Sequence, residues 1–99
     1  MKPFQLSDPA DAELTDAIRW YEQQRPGLGA ELFDAISETI DLIRTHPDIG
    51  TPRATRLPSR QLRVNRFPFH IVYRIRENDI YIVAVAHTSR RPDYWKGRL

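Results

Sequence analysis

Cysteine is absent from this 99-residue sequence, which excludes disulfide bonds, thiol catalysis and thiolate metal sites. No segment approaches the roughly 18 consecutive apolar residues that a membrane-spanning helix requires, and no basic start precedes an apolar signal segment. The three histidines, His46, His70 and His87, lack the spacing of metal ligands. We therefore expect a single cytoplasmic domain of residues 1–99 that binds no membrane, metal or cofactor.

The charge is small in total but uneven along the chain. The net charge is +2, yet residues 1–50 contain 4 basic and 10 acidic residues, whereas residues 51–99 contain 11 basic and 3 acidic residues. Ten of those eleven basic residues are arginines, whose planar guanidinium pairs with phosphates and carboxylates and stacks on aromatic rings. An anionic partner is one explanation, and neutralisation of one half by the other within the domain is the second.

Apolar residues at helical spacing predict two helices in the first half. Residues 3–6 are a short strand candidate, and Ser7 or Asp8 can then cap a helix whose first turn accommodates Pro9. After the helix-breaking segment RPGLG, a second helix is predicted from about residue 29 to residue 45, which gives an antiparallel hairpin. The apolar stripes expected to face the core are Leu14, Ala17, Ile18, Trp20 and Tyr21, then Leu32, Phe33, Ile36, Ile40 and Ile43.

The periodicity changes to two in the second half, which predicts β-strands. Residues 46–59 contain three prolines and one glycine, so we expect a loop that exposes Arg53 and Arg56. The predicted strands are 60–67, then 69–77, in which Phe69, Ile71, Tyr73 and Ile75 face the core, and finally 80–87, which is apolar on both faces.

Together these elements predict an α+β sandwich of order β-α-α-β-β-β. The helical hairpin should cover one face of a small, mainly antiparallel sheet, and a short tail should leave the sheet at Pro92. The other face should present Arg63, His70 and Arg74, with the tail nearby. We expect the guanidinium groups between Arg63 and Arg98 to converge into one outward cationic surface that contacts an anionic partner.

Four segments resemble the RelE/ParE superfamily of bacterial type II toxins: AIRWYEQQRPGLGAELFDAI, LIRTHPDIG, RFPFHIVYRI and AVAHTSRRPDYWKGR. The resemblance extends from Ala12 to Arg98 and agrees with the length and the element order of that superfamily. It implies a small basic toxin that arrests growth unless a co-expressed antitoxin binds it. It further implies that the antitoxin uses an acidic, partly apolar segment that folds on binding, in a toxin–antitoxin hetero-oligomer.

Two mechanisms occur on this fold, and the resemblance leaves both open. ParE-like members inhibit DNA gyrase without covalent chemistry, whereas RelE-like members are ribosome-dependent endoribonucleases that cut messenger RNA. A third interpretation is a non-toxic interaction domain with an arginine-rich face. Fold alone does not separate these mechanisms, so whether the chain is an enzyme depends on its site residues.

Metal-free RNA cleavage requires a base, an acid and cations that stabilise the phosphorane. By resemblance to the RelE-like ribonucleases, Gln61 lies at a position where those enzymes usually have a lysine, and His70 lies where they usually have an arginine. These two differences reduce the cationic charge at the catalytic positions. We therefore favour the ParE-like mechanism. The corresponding positions are Gln61, Arg63, His70, Arg90, Arg91 and Tyr94, of which the last five are the catalytic candidates under the ribonuclease alternative.

Each candidate also has a structural explanation. His70, with an ordinary pKa of roughly 6.5, could transfer a proton or could simply form a hydrogen bond on an outward strand face. For His87 we favour a hydrogen-bonded imidazole that orients the tail, and for His46 an interaction with the helix dipole. Trp95 is expected to fix the tail on the sheet, whereas Tyr94 could pack, stack on a base or assist proton transfer.

Under the favoured mechanism, the basic residues bind the target and do not cleave it. The tail contains too many arginines for a small core, so at least some should face solvent or a partner. The expected target is DNA gyrase, or the ribosome with its messenger RNA under the alternative. The expected target-binding residues are Arg63, Arg74, Arg90, Arg91, Lys96 and Arg98.

Overall fold

The structure, a computed structural model, describes all 99 residues. One strand and two helices begin the chain, as predicted: β1 spans Phe4–Leu6, α1 spans Asp8–Gln24 and α2 spans Leu28–Thr45. Ser7 caps α1, because its Oγ accepts a hydrogen bond from the Ala10 backbone N–H at 3.2 Å. No helix of the protein combines the length and the apolar character needed to cross a bilayer.

Two glycines allow the tight connection between α1 and α2. Gly27 has a φ angle of 89°, in the left-handed region that favours glycine. Gly29 is buried where the helices approach each other, and a Cβ atom there would lie 2.9 Å from the carbonyl oxygen of Ile18. The Glu22 carboxylate accepts hydrogen bonds from the N–H groups of both glycines at 3.0 Å, which satisfies donors at the start of α2.

The second half of the chain completes a five-stranded sheet of order β1-β5-β4-β3-β2. β1 pairs in parallel with β5, and every other neighbouring pair is antiparallel. The α+β sandwich of a helical hairpin on a mainly antiparallel sheet is therefore confirmed. The later strands are β2 at Thr51–Arg53, β3 at Ser59–Arg63, β4 at Phe69–Ile75 and β5 at Ile80–His87, with short 3-10 turns at Pro47–Ile49 and Lys96–Arg98.

β2 lies within a segment that was predicted to be a loop. The expected uninterrupted loop over residues 46–59 is wrong, because β2 pairs with β3 at the edge of the sheet. Pro52 is tolerated in β2 because the outer side of an edge strand needs no backbone donor. The expected exposure of Arg53 is also wrong, since its guanidinium is partly buried and pairs with Asp93 at 2.7 Å.

The sheet separates two hydrophobic clusters. The larger one, here called the helix cluster, joins the helices to one sheet face and includes Leu14, Leu32, Ile36 and Ile71. The smaller one lies on the other face beneath the tail. A β-bulge in β5 contributes Val83 to this smaller cluster, because Val83 is an extra residue between two cross-strand pairs. This tail cluster consists of Val72, Val83, Ala84, Ala86 and Trp95.

Three residues that were predicted to face the core lie at the surface. Trp20 is 56% exposed, Phe33 is 49% exposed and Ile75 is 41% exposed. Ile75 is the last residue of β4, at an end of the sheet, and the two aromatic residues lie at the margins of their helical stripes. Tyr21 does pack against the helix cluster, as predicted. Periodicity thus identifies the centre of an apolar stripe better than its width.

Candidate functional site

The ends of the central strands and the tail enclose a cleft of about 210 Å³. The structure brings most of the predicted site residues together here. Arg63 lies beside the cleft, because it is the cross-strand partner of His70. The predicted residues that line the cleft are Gln61, His70, Arg90, Arg91 and Tyr94.

His70 is partly buried in this cleft, and its surroundings disfavour the imidazolium form. Burial lowers the pKa of His70 below its usual value, and the positive charges of Arg63 and Arg53 lower it further. The imidazole is therefore neutral at neutral pH. It can accept a proton, but it supplies no cationic charge to a bound phosphate.

Trp95 fixes the tail on the sheet, as predicted. Its side chain is 2% exposed and packs within the tail cluster. His87 holds the start of the tail, because its Nδ1 accepts a hydrogen bond from the Ser89 backbone N–H at 3.0 Å. The His87 ring also packs edge-on against Phe69 at 5.2 Å between centroids. These contacts agree with the structural role expected for His87, whose side chain also lines the cleft. His46 follows the last residue of α2, and its backbone N–H donates to the Leu42 carbonyl.

A carboxylate of helix α1 holds Tyr94. The Tyr94 hydroxyl donates to Glu13 Oε2 at 2.5 Å, and the Arg98 guanidinium donates to both oxygens of the same carboxylate at 2.9 and 3.1 Å. Burial raises the pKa of Tyr94 well above its usual value, and the hydrogen bond to Glu13 raises it further. The hydroxyl is thus already engaged and is poorly suited to proton transfer.

Two residues with a role at the site were not predicted from the sequence: Asp93, which lines the cleft, and Glu13, which does not line it but holds Tyr94. Glu13 is the more informative of the two. It lies one turn after Ala10 and one turn before Ala17, on the flank of the stripe that α1 buries. An acidic residue at such a position indicates a partner, but its identity depends on the tertiary fold. The partners Tyr94 and Arg98 are 81 and 85 residues away in sequence.

Three of the predicted target-binding cations lie together at this end of the protein. Arg63, Arg90 and Arg91 are exposed, and none of them belongs to any of the seven ion pairs in the structure. The Arg90 guanidinium stacks on the Tyr94 ring, 3.9 Å from its centroid, which orients this cation. We call Arg63, Arg90 and Arg91 the free arginine group.

The other predicted cations do not join the free arginine group. Arg98 is neutralised by Glu13. Arg74 lies four residues from His70 along β4, a separation of roughly 13 Å at the usual rise of a strand. Lys96 borders a separate depression.

The expected single surface from Arg63 to Arg98 is therefore replaced by a smaller group. Several arginines of the second half are neutralised within the domain: Arg66 pairs with Glu31 at 2.9 Å, and Arg76 pairs with Asp79 at 2.6 Å. Neutralisation within the domain therefore explains part of the uneven charge, whereas Arg63, Arg90 and Arg91 have no carboxylate partner within the chain.

The chemistry of the cleft favours anion binding over RNA cleavage. Exposed guanidinium groups can bind phosphates or carboxylates, but their very high pKa makes them poor acids and bases. Tyr94 is engaged by Glu13, and Gln61 does not ionise. The side chains of the cleft whose chemistry allows proton transfer near neutral pH are the imidazoles of His70 and His87, and His87 Nδ1 is engaged by the Ser89 backbone N–H.

A second candidate surface is an apolar groove of about 180 Å³ between β1 and the two helices. Phe4 is 41% exposed at its rim, where the Arg44 guanidinium lies 5.2 Å from the ring centroid. The apolar residues that line the groove are Phe4, Leu6, Leu14, Phe33, Ile36 and Ile40. This groove is on a different part of the molecule from the cleft.

Comparisons with known proteins agree with this architecture. The family model described as ParE toxin of type II toxin–antitoxin system, parDE, matches residues 4–92. Toxin ParE1 of Caulobacter vibrioides is 41% identical over 54 residues, which cover 52% of this chain and 55% of that relative, so the match spans about half of its length. A solved structure described as the chromosomal ParDE TA system from P. aeruginosa is 21% identical, with a TM-score of 0.75 over 90% of this chain and 98% of that chain.

Proposed function

We propose that this chain, which belongs to the ParE toxin family of the type II toxin–antitoxin system parDE, arrests bacterial growth by inhibiting DNA gyrase. The observation that carries the proposal is the free arginine group at a cleft in which Gln61 is neutral and the Tyr94 hydroxyl is engaged by Glu13. Such a site is suited to hold a macromolecular target by contact and is poorly suited to cleave it.

The free arginine group is chemically complementary to the surface of a DNA-bound enzyme. Guanidinium groups form two-point contacts with carboxylates and with phosphates, and a gyrase–DNA complex presents both. Arg90 is oriented in advance by the Tyr94 ring, so less side-chain entropy is lost when it binds. Under this proposal Arg63, Arg90 and Arg91 make the main contacts, and Arg74 and Lys96 contribute only if the target extends over a larger surface.

An antitoxin with an acidic and partly apolar segment is the proposed regulatory partner, in a cytoplasmic toxin–antitoxin hetero-oligomer. The solved neighbour is described as a ParDE system. The apolar groove beside Phe4 and Phe33 fits the apolar part of such a segment, and the cationic second half of the chain fits the acidic part. High salt should therefore weaken the complex.

A ribosome-dependent endoribonuclease is the alternative, and one observation favours it. His70 is a neutral imidazole in a cleft that also contains Arg90 and Arg91, so it could accept the proton of a 2′-hydroxyl. Arg63 and Tyr94 complete the catalytic candidates of this alternative.

Two parallel assays of the purified protein distinguish these mechanisms. In a supercoiling assay with purified gyrase, we expect inhibition that increases with toxin concentration and disappears when the antitoxin is added. In a translating extract, we expect intact messenger RNA. Unaffected gyrase at saturating toxin, together with cleaved messenger RNA that becomes intact in His70→Gln, would establish the alternative.

Growth measurements test the third interpretation, a non-toxic interaction domain. Expression of the chain without any antitoxin should arrest growth, and co-expression of the antitoxin should restore it. Normal growth at an expression level confirmed by immunoblotting would remove both toxic mechanisms.

A further inference from the structure

Glu13 joins three segments of the protein that are far apart in sequence. Its Oε1 accepts hydrogen bonds from the Val85 backbone N–H at 3.1 Å and from Arg98 Nη1 at 2.9 Å. Its Oε2 accepts from the Tyr94 hydroxyl at 2.5 Å and from Arg98 Nη2 at 3.1 Å. The side chain is only 16% exposed. Four donors use the acceptor capacity of a carboxylate, so the orientation of this group is fixed.

Glu13 contacts β5 just beyond the part of that strand that pairs with β1. The last pair between β1 and β5 is at Ile82, so the edge of β5 beyond that residue has no neighbouring strand. Side chains satisfy the edge instead: Arg98 Nη1 donates to the Val83 carbonyl at 3.2 Å, and Glu13 accepts from the Val85 N–H. Since buried backbone groups need partners, α1 and the tail are both tied to this edge.

The contacts of Glu13 reach the cleft through the Tyr94 ring. Arg90 and Arg98 both stack on this ring, with guanidinium carbons 3.9 and 5.1 Å from its centroid. Arg98 is neutralised by Glu13, whereas Arg90 belongs to the free arginine group. Arg90, which remains available to a target, is therefore oriented by the Tyr94 ring, and Glu13 holds that ring in place.

We infer that Glu13 is a positioning residue for the target-binding group: its hydrogen bond to Tyr94 fixes the ring on which Arg90 stacks, and so sets the direction of the Arg90 charge. This role deepens the proposed function and rests on it, although the placement of Arg90 can be measured without any target. Glu13 itself does not contact the target. A residue of α1 thereby shapes a surface that the tail forms.

The first test is spectroscopic and needs no target. A cation 3.9 Å from a ring centroid lies in the ring current, so the side-chain protons of Arg90 should be shifted upfield in the wild-type protein. Glu13→Gln and Tyr94→Phe should each move these resonances toward the values of an unstructured arginine. Glu38→Gln is the matched control, because Glu38 is an exposed residue of α2 outside every ion pair. Arg90 resonances that stay in place in Glu13→Gln would overturn the inference.

The second test measures growth arrest, which does not depend on knowing the target. Misplacement of Arg90 removes about one charge-assisted contact, so Glu13→Gln should need roughly tenfold more toxin for the same arrest. In an Arg90→Gln background, Glu13→Gln should cause no further loss. An equal loss with and without Arg90 would identify a merely structural role and contradict the inference.

The Tyr94→Phe variant keeps the test decisive if Glu13→Gln does not fold. It removes only the hydroxyl, and it retains the Glu13 contacts with Arg98 and Val85. Its loss of potency should also depend on Arg90. If the wild-type toxin arrests growth while gyrase is unaffected, the gyrase proposal fails, and the spectra and the dependence on Arg90 still decide the role of Glu13.

Discussion

Removal of the Trp95 side chain is the perturbation whose effect the structure predicts most fully. Trp95 is 2% exposed and is the largest member of the tail cluster. Truncation of a buried tryptophan to alanine costs about 3–5 kcal/mol of unfolding free energy. We expect about 3 kcal/mol for Trp95→Ala, because the cluster lies under a short tail that can shift and admit water.

The effect should be unequal across the molecule. The helix cluster is a separate set of residues on the other face of the sheet, so the helical hairpin should remain folded in Trp95→Ala. A loss of about 3 kcal/mol is a large share of the roughly 5–15 kcal/mol that stabilises a typical domain. The tail, with Arg90 and Arg91, should lose its fixed position, and target inhibition should fall more than antitoxin binding.

Denaturant unfolding followed by circular dichroism measures the change in unfolding free energy, and tryptophan fluorescence shows which part of the molecule has lost its packing. The two tryptophans differ in burial, since Trp20 is 56% exposed and Trp95 is 2% exposed. The wild-type protein should show a blue-shifted component that Trp95→Ala lacks. A change in unfolding free energy below about 1 kcal/mol, or an unchanged blue component in the variant, would refute the role of Trp95 as the residue that fixes the tail.

Three further predictions concern stability. The folded-state pKa of His70 lies below its usual value, so the unfolded chain binds more protons as pH falls through about 6.5, and the unfolding free energy should decrease over that range. In urea titrations at several pH values, His70→Gln should remove this pH dependence of the unfolding free energy, and a pH dependence that persists would contradict the prediction. The N–H groups of Gly27 and Gly29 hold the pKa of Glu22 below its usual value, so the stabilising effect of the Glu22 carboxylate is present above about pH 4.5 and is lost as pH falls through the folded-state pKa. Glu22→Gln should therefore be less stable than wild type at pH 7 but similar at low pH. Equal melting temperatures at pH 7 would argue against the role of Glu22 in capping the start of α2. Gly50→Ala would place a methyl carbon 2.6 Å from the hydroxyl oxygen of the fully buried Tyr73, so we expect a loss of about 1–3 kcal/mol in thermal unfolding, whereas a neutral effect would show that Tyr73 can move.

The helical hairpin and the central strands were predictable because their signals are local. The apolar spacing of α2 and the alternation in β4 are each contained in fewer than twenty residues. The predicted second helix began within one residue of Leu28, its observed start. Such elements follow from periodicity and from the residues that break it.

The contacts that define the site were less predictable because they join distant residues. Glu13 and Arg98 are 85 residues apart, and only the fold shows that they meet at the open edge of β5. The same limit applies to charge: Arg66 and Arg91 look alike in sequence, but one pairs with Glu31 and the other has no carboxylate partner. The composition indicated a cationic surface, whereas its members had to come from the tertiary structure.

The charge-matched comparison of two triple variants tests the central claim most directly. One variant replaces Arg63, Arg90 and Arg91 with glutamine, and the control replaces arginines that are paired in the structure. Both lose three positive charges, so any general effect of charge is the same in each. The control positions are Arg25, Arg66 and Arg76.

Inhibition of purified gyrase in the supercoiling assay is the measurement. At about 1 kcal/mol or more for each lost contact, the first variant should need at least about a hundredfold more toxin for half-inhibition, while the control stays close to wild type. Equal weakening of the two variants, or full potency of the variant that lacks the free arginine group, would contradict the claim that these three arginines bind the target.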